Sequence, residues 1–489
     1  MKKNQYSIIQ DLLDKVWSTP NNIALVSNNI KYSYRDLFLM AFFLKKKILQ
    51  KKKTNKKIGI LCERTVFDIV AIIAILLSGN TYIPFNAKHP RKKILEIAEK
   101  NQIKQIFSEK IMDNSEKNFN KTTSHKDCNI YLSKINFTKQ IFNQDAYVIF
   151  TSGSTGIPKG VKITHKNVLS FIRECGKIFK INERKKNFIL IPDLSFDLSI
   201  FPMWYCFKVG GTLFYPTTKE KLNLIHYIEN KKINIFCSTP SLIDYFQNLN
   251  LLKKQIFHNI KLSVFCGEPF FVKQFKIWSQ VCKNSKIFNT YGPTEATCFC
   301  SYYQCNKKYL KGISENVYIS IGKFFKNIRC YLIKNKKSSN KERHLLLSGD
   351  QVFSGYLNKK KFSSTSFKKI KSRFYYKTGD HIIKKKNNYF FSKRIDRQIK
   401  VSGFRVELKE IENLLNKYTK KYNFVFYSDK SKEIIAVLRK SIKTLNNIKK
   451  YLGQNLPEYM IPKKLVLMKN FPLTLNQKID FKKITSKYE

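Results

Sequence analysis

The sequence is short of acidic residues, glycine and cysteine, and the shortages of glycine and cysteine each exclude a class of protein. Its 489 residues include 17 Gly and 11 Cys, too few for a collagen-like repeat or a disulfide scaffold. Hydrophobic residues make up 43% and aromatic residues 14%. That content excludes wholesale disorder, because disordered chains are poor in such residues. The odd number of scattered cysteines favours reduced thiols, so we expect a cytoplasmic protein.

Long hydrophobic runs are also missing. The most apolar run, Ile69 to Leu77, has nine residues, whereas a membrane span needs about 20. The N-terminal segment carries Asp11 and Asp14 and has no apolar stretch typical of a signal peptide. We therefore expect neither a signal peptide nor a membrane span.

The shortage of acidic residues leaves a formal net charge of +58, from 92 Lys plus Arg against 34 Asp plus Glu. A non-catalytic basic binding protein, for nucleic acid above all, is one hypothesis for such a chain. The lysines are scattered along the whole sequence, however, and no basic block with interleaved aromatics is present. We expect no nucleic-acid partner, although a basic surface would attract an acidic protein.

Strand and helix patterns alternate along most of the chain, which predicts an α/β layered architecture. Buried strands are predicted at 57–62, 81–85 and 147–150, and helices at 69–77 and 91–100. Residues 111–144 are rich in Asn, Lys, Ser and Thr and predict an irregular loop. From about residue 397 a smaller, basic portion begins, long enough for a separate domain of about 90 residues.

The sharpest motif is Thr151-Ser152-Gly153-Ser154-Thr155-Gly156-Ile157-Pro158-Lys159-Gly160, directly after a predicted strand. Small hydroxyl residues and three glycines let a backbone approach a phosphate closely, and Lys159 adds a positive charge. The GxxxxGK[ST] spacing of the nucleoside-triphosphatase P-loop is absent.

This loop resembles the phosphate-binding signature of adenylate-forming enzymes, and the resemblance extends along nearly the whole chain. Eight further segments follow in the order usual for amino-acid adenylation domains: KYSYRDL (31–37), LLSGNTYIPFNAKHP (76–90), FDLS (196–199), NTYGPTE (289–295), YKTGD (376–380), RIDRQIKVSGFRVELKEIE (394–412), LPEYMIP (456–462) and NQKID (476–480). Within the family the chain is most similar to the D-alanine-activating members.

The resemblance implies a fold and a reaction. The fold is a large N-terminal domain of layered α/β subdomains, residues 1–395, with a small mobile α+β C-terminal lid domain, residues 396–489. The reaction uses ATP and Mg²⁺ to activate a small amino acid as an aminoacyl-adenylate, and then loads a phosphopantetheinyl carrier protein. Because the chain ends nine residues after Asp480, we expect that carrier to be a separate protein.

The family motifs also imply roles for residues that handle ATP. Lys478 is the expected catalytic lysine, Thr294 would contact the α-phosphate and Glu295 the Mg²⁺ ion, and Asp396 would be the hinge. The expected ATP-binding residues are Thr151, Ser152, Gly153, Ser154, Thr155, Gly156, Lys159, Asn289, Tyr291, Asp380 and Arg394.

Asp197 decides the substrate class, because its position resembles the one at which the amino-acid-activating members hold the α-ammonium group. A fatty or aryl acid would leave such a carboxylate unpaired if it is buried, which is costly. The rest of the expected pocket is small, and its residues are Leu198, Phe201, Cys237, Val264, Cys266, Thr290 and Cys298.

The sequence departs from the family pattern at several positions, and two other functions stay open. Asn86 replaces an aspartate, Ser392 and Gln477 replace glycines, and the Gly-Glu pair before the LLLSG strand is changed around Arg343-His344. We expect strain at Ser392. The alternatives are a nonribosomal-peptide-type adenylation domain for another small amino acid, or an acyl-CoA synthetase.

Overall fold

The computed structural model describes residues 6–49, 56–109, 141, 144–153, 158–181, 186–253, 255–334, 342–394, 396–401, 403–428, 430–439, 445–472 and 479–488. The described chain divides into two compact units. Unit 1 holds the chain up to residue 86, residues 101–149, and the chain from residue 160 to the end of the strand at Arg394. Unit 2 holds residues 87–100, residues 150–159 and the chain from Asp396 onward.

Twenty-four strands are assigned within the described residues. They are β1 Ile23–Ser27, β2 Ile30–Ser33, β3 Lys57–Cys62, β4 Thr81–Asn86, β5 Ile106–Phe107, β6 Asp145–Thr151, β7 Lys159–Thr164, β8 Asn187–Ile189, β9 Thr212–Phe214, β10 Ile235–Ser238, β11 Leu262–Phe265, β12 Lys286–Tyr291, β13 Ser301–Gln304, β14 Lys323–Phe324, β15 Ile328–Lys334, β16 Glu342–Gly349, β17 Phe367–Ile370, β18 Arg373–Lys385, β19 Asn388–Arg394, β20 Gln398–Val401, β21 Phe404–Glu407, β22 Phe424–Ser428, β23 Glu433–Arg439 and β24 Lys464–Met468.

The α-helices within the described residues are α1 Gln10–Ser18, α2 Tyr34–Leu49, α3 Val66–Leu77, α4 Arg91–Lys100, α5 His165–Phe179, α6 Ile200–Val209, α7 Leu224–Asn230, α8 Ser241–Asn248, α9 Val272–Val281, α10 Lys307–Leu310, α11 Leu408–Thr419, α12 Leu445–Asn455 and α13 Phe481–Tyr488. None of the helices in this described part of the chain is long and apolar enough to cross a membrane.

The strands of unit 1 form three sheets. A nine-stranded sheet has the order β14-β13-β12-β11-β10-β8-β9-β1-β2, and a five-stranded sheet has the order β5-β3-β4-β6-β7. In the nine-stranded sheet β8 to β12 are parallel, whereas β2, β13 and β14 pair antiparallel with their neighbours. The third sheet is antiparallel, with β15, β16, β18 and β17 in order and β19 on β18.

Unit 2 is a smaller α+β body. Strands β22 and β23 pair antiparallel, and β24 joins β23 in parallel. Strands β20 and β21 form a separate hairpin. Helix α4 is tied to this body by an ion pair in which Lys93 Nζ lies 2.7 Å from the buried Glu410 carboxylate on α11. The Phe404 and Tyr459 rings stack with their centroids 4.2 Å apart.

These sheets and helices confirm the predicted mixed α/β class, with differences at the ends of elements. The helix predicted at 69–77 begins three residues earlier, at Val66. Most of the loop predicted at 111–144 lies outside the described residues.

Helix α3 is the most deeply buried helix of unit 1, and a carboxylate fixes its first turn. Eleven of its twelve residues are buried, so it is apolar on every face. Asp68 is fully buried and accepts hydrogen bonds from the Arg64 N–H at 2.8 Å and the Tyr215 hydroxyl at 2.8 Å. The Arg64 guanidinium in turn donates to the carbonyls of Leu190 at 2.7 Å and Pro216 at 2.8 Å. This network joins the start of α3 to the segments that follow β8 and β9.

The buried carboxyl of Asp68 predicts a measurable pH dependence. Burial raises the pKa of Asp68 from 3.8 to about 6, against the opposing hydrogen bonds. A carboxyl whose pKa is higher in the folded than in the unfolded chain costs stability as the pH rises from about 4 to about 6. We expect the free energy of unfolding of the wild type, relative to Asp68→Asn, to fall by about 1 kcal/mol between pH 5 and pH 7 in urea titrations. Asp14→Asn, at an exposed position of α1, is the control, and parallel slopes for Asp68→Asn and wild type would contradict the assignment.

Candidate active site

The hydroxyl- and glycine-rich loop leaves the end of β6 and returns to β7. The two ends of the loop are joined by a hydrogen bond of 3.5 Å, in which the Thr151 hydroxyl donates to the Lys159 carbonyl. Ser154, Thr155 and Gly156 lie outside the described residues. Gly153 is buried at the described end of the loop.

Within unit 2 this loop contacts the β20–β21 hairpin. The Ser152 hydroxyl donates a hydrogen bond of 2.7 Å to the Arg405 carbonyl in β21. Burial raises the pKa of Glu407, at the end of the same strand, and the positive charges of Arg405 and Lys159 oppose this rise. The loop therefore lies near a positive group, Arg405, and a negative group, Glu407.

Asp380 is the centre of a second polar cluster, in unit 1. It is buried and its two oxygens have different partners: Tyr291 donates its hydroxyl to Oδ2 at 2.5 Å, and Arg394 Nη1 donates to Oδ1 at 2.6 Å. Arg394 reaches Asp380 because the two residues are register partners in β18 and β19. Burial raises the pKa of Tyr291 well above its usual range, and the negative charge of Asp380 adds to this rise. The phenol therefore stays a neutral hydrogen-bond donor.

Glu295 lies on a short 3₁₀-helix, Thr294–Ala296, and is fully buried. Its Oε1 accepts a hydrogen bond of 2.6 Å from the Tyr356 hydroxyl. Tyr356 is held by the β-bridge to Val161 and by its ring contact with Phe353. Nothing in the sequence marks Tyr356 as a site residue, because it lies 61 residues beyond Glu295.

The backbone after Glu295 is strained and is fixed by one amide side chain. Thr297 and Cys298 have φ values of 57° and 73°, in the left-handed region that costs energy for residues other than glycine. Gln351 is fully buried and donates to the carbonyls of Ala296 at 2.8 Å and Phe299 at 2.5 Å. At Gly292 an added Cβ would lie 2.5 Å from the Phe299 Cα, so only glycine fits there. No motif in the sequence indicates the role of Gln351.

The expected substrate residues lie mainly at the carboxyl ends of parallel strands and on the turn before α6. Cys237 of β10 is the register partner of Val264 in β11, and Cys266 follows β11. Burial raises the pKa of Cys298 well above its usual range, and the charge of Asp197 and the thiols of Cys266 and Cys237 add to this rise. Asp197 and three buried thiols are therefore close together. Their role as a substrate pocket stays a prediction.

Three other expected site residues have clear packing roles. The Phe201 ring lies 5.2 Å from Phe179 and 5.5 Å from Phe299, between centroids. The Asn289 side-chain amide donates to the Ser320 carbonyl at 2.9 Å, and the Thr290 hydroxyl donates to the Phe265 carbonyl at 2.9 Å. Leu198 is also buried. Their contacts with ligands stay a prediction.

The segment that leads to Asp197 is supported by a residue that the motifs treat as a departure. Asn86 donates its amide to Asp193 Oδ2 at 2.9 Å, and Asp193 Oδ1 accepts from the Ser195 N–H at 2.9 Å and hydroxyl at 2.6 Å. An aspartate at position 86 would place two carboxylates together here. The asparagine therefore suits the acid at position 193.

The departures at Ser392 and His344 lie in one cluster beside Asp380, and Gln477 lies outside the described residues. Ser392 donates its hydroxyl to Glu342 Oε1 at 2.7 Å, and the rings of His381 and His344 approach with 3.0 Å between Nε2 and Nδ1. The expected strain at Ser392 is wrong, because the residue lies inside β19 and its φ is not positive. Glu342 thus takes up the serine hydroxyl within a regular strand.

The remaining two expected residues are Asp396 and Lys478. Asp396 is exposed, and its Oδ1 lies 3.4 Å from the Gln398 N–H. Lys478, the expected catalytic lysine, lies outside the described residues. Their roles as hinge and catalyst stay predictions.

The chemistry of Glu295 fits a hard divalent cation. Glu295 is fully buried, and its Oε1 accepts a hydrogen bond from the Tyr356 hydroxyl. A buried carboxylate of this kind is stabilised by positive charge. No group of three or more His, Cys, Asp and Glu that could hold a metal occurs among the residues that the structure describes. One carboxylate matches Mg²⁺, which is commonly bound by one or two carboxylates together with substrate phosphates and water.

The comparisons with known proteins show the family to which the chain belongs. The family model described as AMP-binding enzyme matches residues 13–357. The chain therefore belongs to the AMP-binding enzyme family. Among curated proteins it is similar to the D-alanine--D-alanyl carrier protein ligases of Bacillus licheniformis, at 28% identity and covering 98% of each chain, and of Staphylococcus epidermidis, at 30% identity and covering 96% of each chain.

Among solved structures, the chain resembles the Vibrio cholerae adenylation domain AlmE in complex with glycyl-adenosine-5'-phosphate. The TM-score is 0.85 at 23% identity, covering 100% of this chain and 98% of that one. This likeness confirms the fold expected from the motifs.

The hydrogen bonds of Gln351 predict a stability effect that does not depend on any ligand. Gln351→Met keeps the volume but leaves the carbonyls of Ala296 and Phe299 without their donor in a buried place. We expect the free energy of unfolding to fall by about 2–3 kcal/mol in urea denaturation. Gln247→Met, at an exposed position of α8, should change it by less than about 0.5 kcal/mol. A similarly small change for Gln351→Met would show that the stability of the strained turn does not depend on the hydrogen bonds of Gln351.

Proposed function

We propose that the protein is an ATP-dependent ligase that activates D-alanine and transfers it to a carrier protein. In the first step a carboxylate oxygen of the amino acid attacks the α-phosphorus of ATP. The bond to the β-phosphate breaks, so D-alanyl-adenylate forms and pyrophosphate leaves. In the second step the phosphopantetheine thiol of the carrier loses its proton and attacks the acyl carbon. A thioester forms and AMP leaves.

The observation that carries this proposal is the buried carboxylate of Asp197 among the thiols of Cys237, Cys266 and Cys298. A buried carboxylate favours a cationic group such as an α-ammonium. Neutral thiols behave as small apolar groups, and they suit the methyl side chain of alanine. The named activity of the two relatives above supports the choice of D-alanine.

The Asp380 cluster suits a ribose. An ionised carboxylate accepts about four hydrogen bonds, and Tyr291 and Arg394 supply one to each oxygen of Asp380. The remaining acceptor positions match the two hydroxyl donors of a ribose. Arg394 also pairs its positive charge with this carboxylate.

The residues proposed to contact the phosphates of ATP are those of the loop at 151–159, Thr294 and Lys478. The described groups of that loop include the Ser152 hydroxyl and the Lys159 ammonium, and Lys478 would neutralise charge as the α-phosphate is attacked. Mg²⁺, held by Glu295, would neutralise phosphate charge when bound. Asp396 would act as the hinge that lets one C-terminal domain serve both steps.

The carrier protein is proposed to be a separate chain. Support comes from the two relatives named above, whose names describe ligases that act on a carrier protein. A net charge of +58 would speed the encounter with an acidic partner.

The experiment that tests the function is ATP–pyrophosphate exchange over a panel of amino acids. We expect D-alanine to give the highest kcat/KM among D- and L-alanine, glycine, D- and L-serine, and propionate, because the pocket requires an ammonium and favours a small side chain. Lys478→Ala should abolish exchange, since losing one transition-state charge contact typically costs about 10²–10³ in rate.

Each alternative has its own outcome in this panel. Preference for another small amino acid would indicate a peptide-type adenylation domain, and exchange with propionate together with transfer to coenzyme A would indicate an acyl-CoA synthetase. If no acid supports exchange, the remaining hypothesis is a non-catalytic basic binding protein.

Asp197→Asn tests the ammonium contact by itself. Loss of the charge should raise the KM for the amino acid by about 100-fold, from the energy of a hydrogen bond between charged groups, and should change the KM for ATP by less than about threefold. Asp350→Asn is the matched control, since Asp350 is exposed and pairs with the exposed Lys166. Equal amino-acid KM values for Asp197→Asn and wild type would remove Asp197 from the pocket.

A further inference from the structure

Tyr147 carries a buried hydroxyl that the fold does not explain. Its side chain is fully buried in β6. Its hydroxyl has no hydrogen-bond partner among the described residues. Buried polar groups are nearly always hydrogen-bonded, and one left unsatisfied costs about 1–3 kcal/mol. A group of this kind is a candidate for contact with a ligand.

The sheet register fixes the direction in which Tyr147 points. Tyr147 is the register partner of Tyr82 on the neighbouring strand β4, and the two ring centroids lie 5.6 Å apart. Both rings therefore lie on the same face of the five-stranded sheet. Burial raises the pKa of the Tyr82 hydroxyl, and Trp204 of α6 is near enough to oppose the rise. The Tyr82 hydroxyl and Trp204 Nε1 are themselves buried without a hydrogen-bond partner among the described residues. The face that carries both tyrosines thus meets α6.

Helix α6 begins directly after the Asp197–Ser199 turn. Since adjacent strands are about 4.8 Å apart, Tyr147 lies about one strand spacing from Tyr82. Asp197 and Cys298 are near enough to the Tyr147 hydroxyl for their charges to add to the rise that burial and Tyr82 produce in its pKa. The hydroxyl is therefore a neutral phenol beside the proposed pocket. The Ser199 hydroxyl, two residues after Asp197, is likewise buried without a partner among the described residues.

We propose that Tyr147 is a specificity-determining residue whose hydroxyl oxygen accepts a hydrogen bond from the α-ammonium group of the substrate. This inference rests on the proposed function. An ammonium has three donors, and Asp197 alone leaves at least one of them without a buried acceptor. A neutral phenol supplies that acceptor without adding a second negative charge. The substrate class it selects is a small primary amino acid rather than a carboxylic acid without an amino group.

The test is Tyr147→Phe, which removes one oxygen and keeps the ring. We expect the KM for D-alanine in ATP–pyrophosphate exchange to rise about tenfold, from the worth of a hydrogen bond to a charged group. The KM for ATP and the kcat should change by less than about twofold. We expect the melting temperature of the ligand-free protein to stay equal or rise, because the substitution removes an unsatisfied buried hydroxyl.

Tyr82→Phe is the matched control, since it too removes a buried hydroxyl without a hydrogen-bond partner among the described residues, from the same sheet face. It should leave the KM for D-alanine unchanged. A lower melting temperature for Tyr147→Phe would show that its hydroxyl has a structural partner and would overturn the inference. Unchanged KM values with stable protein would overturn it as well, and leave the proposed function intact. A wild type that exchanges with no amino acid would overturn both.

Discussion

The constraint on which the rest of the structure depends is the burial of carboxylates in the interior of a strongly basic chain. Asp68, Asp197, Glu295 and Asp380 are all buried. A buried carboxylate is tolerated only with hydrogen-bond donors or a cation beside it. At Asp68 the protein supplies the donors from backbone N–H groups and Tyr215, and the carboxylate serves the fold. At Asp380 the protein supplies one donor for each oxygen, which leaves acceptor positions for a ligand.

Rigid support surrounds these carboxylates. Arg64 fixes the segment after β8 through the carbonyls of Leu190 and Pro216, and Asn86 fixes Asp193 a few residues before Asp197. Gln351 fixes the left-handed turn after Glu295. Sites that develop or bind charge work best when their polar groups need no rearrangement. The strain at Thr297 and Cys298 is the local cost of holding Glu295 on a short 3₁₀-helix.

Sequence reasoning was able to predict the parts of this arrangement that are encoded locally. The parallel strand that precedes the loop at 151 follows from the hydrophobic run at 147–150. Asp380 and Arg394 are fourteen residues apart and were both found in motifs, and the pairing of β18 with β19 brings them together. Tyr356, Gln351, Arg64 and Tyr147 were missed because each acts on residues more than fifty positions away, or carries an orphaned group that only burial reveals. Asn86 and Ser392 were interpreted as departures, yet Asp193 and Glu342 accept their hydrogen bonds.

The central claim is that Asp197 and Asp380 hold opposite ends of one molecule, an aminoacyl-adenylate. Calorimetric binding of the non-hydrolysable D-alanyl-sulfamoyl-adenosine, compared with its des-amino and its 2′,3′-dideoxy analogues, tests this most directly. The account predicts that each analogue binds at least about tenfold more weakly, because each lacks hydrogen-bond donors that a buried carboxylate would accept from the full ligand. It also predicts that Asp197→Asn removes only the preference for the amino group and Asp380→Asn only the preference for the ribose hydroxyls. Equal binding of all three compounds to the wild type would contradict the account.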